Sequence, residues 1–167
     1  MDNIFIDELI YTKKNGTSCA FTGHRELGGD FDIKKLEKCI KELIEKGVNI
    51  FYNGGASGFD IVSAETVIHL KKKNDIKLII CVPFYGQERR YSLIDKERYN
   101  AILKKADEVV VLSDRYYKGC LLRRNDYMIE RADYLIAYLN KETGGTYYTV
   151  NKFNNKENVI YINKIQK

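Results

Sequence analysis

The chain has 167 residues and a mass of 19.4 kDa, the size of one domain that can bury most of its apolar surface without disulfides or metals. Hydrophobic residues make up 44% and charged residues 31%, which excludes wholesale disorder, and no apolar run approaches the roughly 18 residues needed to span a bilayer. The net charge of +5 is interspersed, its one dense basic run (Lys71-Lys72-Lys73) falls at an expected helix end, and composition therefore argues against a nucleic-acid partner.

Met1 to Tyr11 carries three acids and no basic side chain, unlike the leading region of a signal peptide, so a cytoplasmic location and no membrane partner are expected. From residue 18 the hydrophobic period switches repeatedly between strand and helix. Ser18 to Thr22 reads as a strand stopped by Gly23. Ile33 to Lys46 places Leu36, Ile40, Leu43 and Ile44 on one helical face, with Gly47 just past its end. Val48 to Tyr52 is a second strand, and Ser57 is the expected cap of a helix running to about Lys73. Lys77 to Val82 is a third strand, closed by Pro83, the single proline. Ile94 to Lys105 is helical, Glu108 to Leu112 a fourth strand, and Leu121 to Ala132 a helix. Tyr134 to Leu139, a helix from Thr146 to Asn154, and Val159 to Ile162 complete the pattern.

Continuous β-branched runs mark strands covered on both faces, and helices between them imply crossover connections. The expected fold is a doubly wound α/β domain over residues 18–163 with a mainly parallel sheet. Residues 1–17 form an extension and 164–167 a tail. Cys19, Cys39, Cys81 and Cys120 show neither C-x-x-C pairing nor a neighbouring His, so no metal and no disulfide framework are expected. The first three sit in apolar periodic segments and should be buried, whereas Cys120 follows Gly119 in a loop.

In such sheets ligands lie beyond the carboxyl ends of the strands. There the chain gathers Thr22, Gly23, His24 and Arg25; Gly54, Gly55, Ser57, Gly58 and Asp60; Pro83 and Tyr85; Tyr116 and Tyr117; Arg124 and Asn125; and Gly144, Gly145 and Thr146. The Gly54-Gly55-x-x-Gly58 turn suits close approach of a phosphate to the backbone at a helix start, though it is neither the dinucleotide fingerprint nor a Walker loop. It reads equally as a tight strand-to-helix turn. Arg25 could pair with a phosphate, and His24 could act as acid, base or donor. Two arginines, Arg123 and Arg124, near a helix start oppose its dipole, which points to an anion. Tyr85 or Tyr117 could stack on a base. Glu65 projects from a different side of its helix than Asp60, so the two do not form a catalytic dyad. Catalytic candidates reduce to His24, Glu65 and Arg124, with no evident acid–base pair.

Six motifs in register carry a family resemblance: Cys19-Ala-Phe-Thr-Gly-His-Arg25, Gly54-Gly-Ala-Ser-Gly-Phe-Asp60, Asp95-Lys-Glu-Arg-Tyr99, Ala106-Asp-Glu-Val109, Arg124-Asn-Asp-Tyr-Met128 and Gly144-Gly-Thr146. Together they resemble the YpsA-like branch of the SLOG superfamily, which includes the DNA-processing protein DprA and the LOG phosphoribohydrolases. The resemblance implies a Rossmann-like domain that binds a nucleotide-derived, phosphate-bearing ligand, with the turn at Gly54 to Gly58 as phosphate loop. It further implies a bacterial or phage source and a homodimer or higher oligomer. The chain departs from the family in having Glu26 after Arg25, where proline is common, and Tyr91 where tryptophan is common. The expected function is ligand sensing or sequestration with no essential cofactor. The alternatives are a LOG-like nucleotide hydrolase and a DprA-like binder of single-stranded DNA. The first alternative lacks the glutamate that follows the LOG Gly-Gly-x-Gly-Thr motif, since Thr149 and Val150 stand there.

Overall fold

The computed structural model describes residues 17–163, so the expected extension (Thr17 apart) and the expected tail lie outside the described residues. The chain runs β1 (Ser18–Gly23), α1 (Ile33–Glu45), β2 (Ile50–Asn53), α2 (Phe59–Leu70), β3 (Lys77–Val82), α3 (Leu93–Lys105), β4 (Glu108–Val111), α4 (Cys120–Arg131), β5 (Tyr134–Tyr138), α5 (Gly144–Lys152) and β6 (Val159–Tyr161). The strands form one parallel sheet in the order β4-β3-β2-β1-β5-β6. The chain steps outward from β1 to β4, then returns to lay β5 against the other side of β1. That reversal makes the β1–β5 boundary the switch point of the sheet.

Alternating strand residues feed two cores, as a sheet covered on both faces requires. On one face Phe21, Phe51, Leu78 and Ile80 pack with Leu36 and Ile40 of α1, Phe59 and Ile61 of α2, and Ile102 of α3. On the other, Ala20, Cys81, Leu135 and Ala137 meet Met128 and Ile129 of α4 and Val150 of α5. All four cysteines are free and buried. Cys120 thus differs from its expected loop position: it is the first residue of α4 and is turned inward. Burial pushes the Cys81 thiol up to about 12 and raises that of Cys19 as well, so both stay protonated.

The amino-terminal edge of the sheet is fastened twice by the same device. Asp133, just before β5, accepts from the Thr17 and Ser18 amides at 3.0 and 3.3 Å and from Ser18 Oγ at 3.0 Å. Asp107, just before β4, accepts from the Leu78 amide at 2.8 Å and pairs with Lys71. The Ala106-Asp107 motif is therefore accounted for by strand registration. Among the described residues no helix is long and apolar enough to cross a membrane, and no group of three His, Cys, Asp or Glu is placed to hold a metal ion.

Several expected boundaries change by one to three residues. The helix expected from Ser57 to Lys73 runs from Phe59 to Leu70, and Gly58, not Ser57, precedes it. Ser57 gives no side-chain cap; instead the Phe59 amide donates to the His24 carbonyl at 3.2 Å, so the β1 loop closes that helix end. The last helix begins at Gly144, two residues before Thr146, because Gly144 (φ 87°) turns the chain into it. A single turn of 3₁₀ helix at Gln87–Arg90 follows the left-handed Gly86 and has no periodic signal in the sequence.

Gly58 has φ 83° and ψ −121°, and a Cβ there would lie 2.0 Å from the Arg25 carbonyl oxygen. Gly47 also has positive φ (99°) but faces open space. Chemical denaturation should therefore separate them: Gly58→Ala is expected to cost on the order of 3 kcal/mol or more, and Gly47→Ala about 1 kcal/mol.

Candidate functional site at the sheet switch point

The carboxyl ends of β1 and β5 open into a cavity of about 770 Å³, large enough for a nucleotide. Thr22, Gly23, His24 and Arg25 form one wall, and Arg124, Asn125, Gly144, Gly145 and Thr146 form the opposite one. Asp60 closes the side toward β2. Ten of the sequence-selected residues thus come together. Tyr116, also gathered at the strand ends, borders the same space, as do Glu26, Asn140 and Lys141, which no site motif marks. Their only sequence signal is position after a strand, which many surface residues share.

The turn expected to cradle a phosphate meets the cavity through Ala56 alone. Gly54, Gly55, Ser57 and Gly58 do not border the cavity, and the glycines are required by packing. A Cβ on Gly54 would lie 2.6 Å from Arg124 Nη1 and 2.8 Å from Asp60 Oδ2. On Gly55, at φ 68°, it would lie 2.9 Å from the Tyr99 ring. Two of the turn's amides are engaged: Gly55 donates to Asn53 Oδ1 at 2.8 Å and Ala56 to Asp60 Oδ2 at 3.2 Å. Its carbonyls are held by Gln87 Nε2 (3.0 Å, to Gly54) and by the Tyr91 hydroxyl (3.0 Å, to Gly55). A β-branched residue at Gly55 would thus disturb the fold itself.

Pro83, Tyr85 and Tyr117 also stand outside the cavity border. Pro83 is buried beside the end of β3, Tyr85 is exposed, and the Tyr117 hydroxyl accepts from Arg123 at 3.4 Å. Tyr116 takes the expected aromatic position, its ring edge-on to Phe84 at 5.4 Å. Glu65 is turned away on α2 and paired with Arg98 of α3.

Arg124 is only 4% exposed although it carries a full charge. Its Nη1 donates to the Gly54 carbonyl at 2.6 Å and the Cys81 carbonyl at 3.3 Å, and its Nε donates to Asn125 Oδ1 at 2.9 Å. The guanidinium thereby ties α4 to the ends of β2 and β3, which accounts for a cation in the first turns of a helix without invoking a ligand. Its Nη2 has no hydrogen-bond partner among the described residues, while the residue borders the cavity. The Asp60 Oδ1 is likewise unengaged there. His24 Nε2 accepts from the Asn140 amide at 3.1 Å, linking the loops after β1 and β5. Burial and the nearby Lys141 hold its pKa below the ordinary imidazole value, in keeping with a neutral ring whose Nε2 is already occupied.

Two helices point their amino termini at this space. Gly119 precedes α4 and Thr143 precedes α5, neither helix has a side-chain cap, and neither has an acid in its first turn. Uncapped N–H groups and the positive ends of both dipoles therefore meet Arg25, Lys141 and Arg124 around one cavity. The arrangement favours an anion.

Asp60 is the counterweight. Burial pushes its carboxyl up to about 6, against the pull of Arg124, of the Ala56 amide and of Arg25. Because the folded chain holds this proton more tightly than the unfolded chain, the resulting stabilisation is complete below the ordinary carboxylate pKa and is lost as pH rises toward about 6. His24 has the opposite sign: its contribution is present above the ordinary imidazole value and is lost on acidification. Subtracting an Asp60→Asn variant isolates the first effect. In urea titrations the stability of wild type relative to Asp60→Asn should fall between about pH 4 and pH 6 and stay level above about pH 7.

Comparison with known proteins agrees with this architecture. A family model named YpsA, for the YspA SLOG family, matches residues 30–166. A UPF0398 protein of Shouchella clausii is 35% identical over 117 residues, covering 68% of this chain and 62% of that protein. The UPF0398 protein YpsA of Bacillus subtilis is 29% identical over 140 residues, covering 76% of this chain and 78% of that protein. The chain spans under two thirds of the length of several relatives that it matches. Among solved structures, DNA processing protein A from Helicobacter pylori aligns over 90% of this chain and 67% of its own, with a TM-score of 0.63 and 17% identity. DprA from Streptococcus pneumoniae aligns over 89% of this chain and 51% of its own, with a TM-score of 0.62 and 20% identity. The structural likeness extends to the fold, and the family match over most of the sequence carries the assignment: the chain belongs to the YpsA SLOG family.

Proposed function

We propose that the chain binds a phosphate-bearing nucleotide derivative in the switch-point cavity, as a sensor or sequestering domain. The observation that carries this reading is the convergence of two uncapped helix N-termini, free of first-turn acids, on one cavity that Arg25, Arg124 and Lys141 also border. In this reading the phosphate sits at Gly144, Gly145 and Thr146, with Arg25 and Arg124 Nη2 as charged donors. Asp60 and Asn125 face ribose hydroxyls or a base edge, and Tyr116 stacks on the base. The Gly54 to Gly58 turn acts behind them, holding Arg124 and Asp60 in place.

Hydrolysis of an N-glycosidic bond is the weaker reading of the same cavity. The catalytic candidate Glu65 is paired with Arg98 and stands outside the cavity border. Binding of single-stranded DNA, described for the Helicobacter pylori protein, draws on a different observation. The loops after β3 and β4 are joined by the Tyr85 amide donating to Ser113 O at 3.1 Å, and they expose Tyr85 and Tyr116 beside Arg115, Lys118 and Arg123. Tyrosine faces among cations are what unpaired bases stack on. Steep salt dependence of oligothymidine binding, weakened by Tyr85→Ala, would favour that reading over a mononucleotide site.

Gly145 offers a clean test. A Cβ there meets nothing closer than 3.7 Å and the residue is exposed, so the fold tolerates a side chain. Gly145→Asp puts a carboxylate in the first turn of α5, where it should hold or raise stability by about 0.3–1 kcal/mol. The same carboxylate repels a phosphate. Titration calorimetry with AMP, NAD and ADP-ribose should show affinity of the wild-type ligand falling at least about tenfold in this variant. Arg25→Ala should cost on the order of 1.5–3 kcal/mol through one charged hydrogen bond. Unchanged affinity in Gly145→Asp would remove the phosphate from α5.

A further inference from the structure

Two opposite charges stand side by side at the cavity wall without pairing. Arg124 is 4% exposed and Asp60 6%. The place a Cβ would take on Gly54 lies 2.6 Å from Arg124 Nη1 and 2.8 Å from Asp60 Oδ2. The two heads thus flank the Gly54 backbone, yet no ion pair joins them. Each spends one atom on the turn, Nη1 on the Gly54 carbonyl and Oδ2 on the Ala56 amide. Nη2 and Oδ1 are left without partners. Neither is sealed in the core, because among the described residues Asp126 Oδ1 is the one fully buried side-chain polar atom lacking a partner. Both residues border the cavity, so an open donor and an open acceptor face the space that an anion would fill.

An anion on Arg124 Nη2 therefore arrives beside a desolvated carboxylate. Two like charges in such a place do not both persist, and a proton settles between them, as in paired carboxylates. The surroundings single out Asp60 as the group that takes it. Arg124 from α4 and Arg25 from the loop after β1 act on it as fixed cations, and Lys141 borders the same cavity. Burial raises Cys81 and Tyr91, so both stay protonated, while His24 is held below its ordinary value and stays neutral near pH 7. Glu26, the other acid on the cavity border, is exposed. Asp60 is buried and already drawn up to about 6, and a bound anion adds to that pull. We infer that the cavity binds its phosphate together with one proton, shared between a phosphate oxygen and Asp60 Oδ1. The inference rests on the proposed phosphate site and adds how acidity governs it. Because the bound anion raises the Asp60 pKa, affinity is greatest where Asp60 is already protonated and falls as pH rises through its ligand-free value.

Sulfate is the probe, since it has the shape of phosphate and takes up no proton of its own across the range tested. Carbon-13 NMR of the Asp60 carboxyl in the full chain reads the proton directly, from about pH 4 to pH 9 in sodium sulfate and in sodium chloride of equal ionic strength. Sulfate should raise the Asp60 midpoint by about one unit or more. Sulfate affinity, followed by the amide shifts of Gly145 and Thr146, should fall about tenfold between about pH 5 and pH 8. Asp60→Asn should abolish that fall and bind sulfate more tightly than wild type at about pH 8. The carboxyl titration needs no variant, so it decides the question whatever the stability of Asp60→Asn. An Asp60 midpoint unmoved by bound sulfate, or a wild-type pH profile in Asp60→Asn, overturns the shared proton and leaves the phosphate site standing. Sulfate that shifts neither amide at any pH removes the phosphate site and the inference with it.

Discussion

One buried guanidinium organises the site. Arg124 leaves α4 on one face of the sheet and reaches the carbonyl of Gly54 beyond β2 and that of Cys81 on β3. Charged donors on carbonyls in a low-dielectric interior are strong, and stranding such a charge would be costly. The surroundings follow from this contact. Gly54 must lack a side chain because the guanidinium and the Asp60 carboxylate occupy the space where a Cβ would stand. Asn53, Gln87 and Tyr91 then complete the hydrogen bonding of the turn so that no strand end is left loose.

The cavity side of the same contact shows restraint of a different kind. Asp60 sits where burial opposes its charge, and two helices begin with no side-chain cap. Each feature lowers the stability of the isolated fold relative to an obvious alternative, an amide at 60 or serine and aspartate caps. Such departures gather at sites that act on something outside the chain, where an incoming group supplies the missing partner. Among the described residues the amino-terminal edge of the sheet carries no such departures. There Asp107 and Asp133 each satisfy strand amides directly, and structure alone accounts for them.

The aromatic residues divide along the same line. Phe59 stacks on Tyr138 at 6.0 Å, and a Cβ on Gly23 would collide with the Phe59 ring, so the glycine ending β1 serves that packing as well as bordering the cavity. Tyr138, fully buried, still uses its hydroxyl: it donates to Asp30 at 2.6 Å and accepts from the Gly28 amide at 3.0 Å. A strand pattern registers the ring and not the loop that folds over it, so these bonds leave no sequence signal. Tyr85 and Tyr116 stay outside the core because their loops extend beyond the strand ends.

What the sequence determined by itself was periodic or local. Runs such as Lys77 to Val82 and the helical spacing of Leu36, Ile40 and Leu43 settled the order of strands and helices, because burial on one or both faces leaves a repeat that can be counted. The strand-end rule likewise brought His24, Arg25, Asp60, Arg124 and Gly145 to one place. What only the tertiary structure decided was the use of each group. A glycine needed for backbone approach of a phosphate and one needed to admit Arg124 or Tyr99 look the same in a sequence, since both express the absence of a Cβ and not what fills its space. In the same way, nothing local to Arg124 says that its charge is spent on two carbonyls 70 and 43 residues away. Those partners meet only when the crossover from β4 to β5 carries α4 back across the sheet.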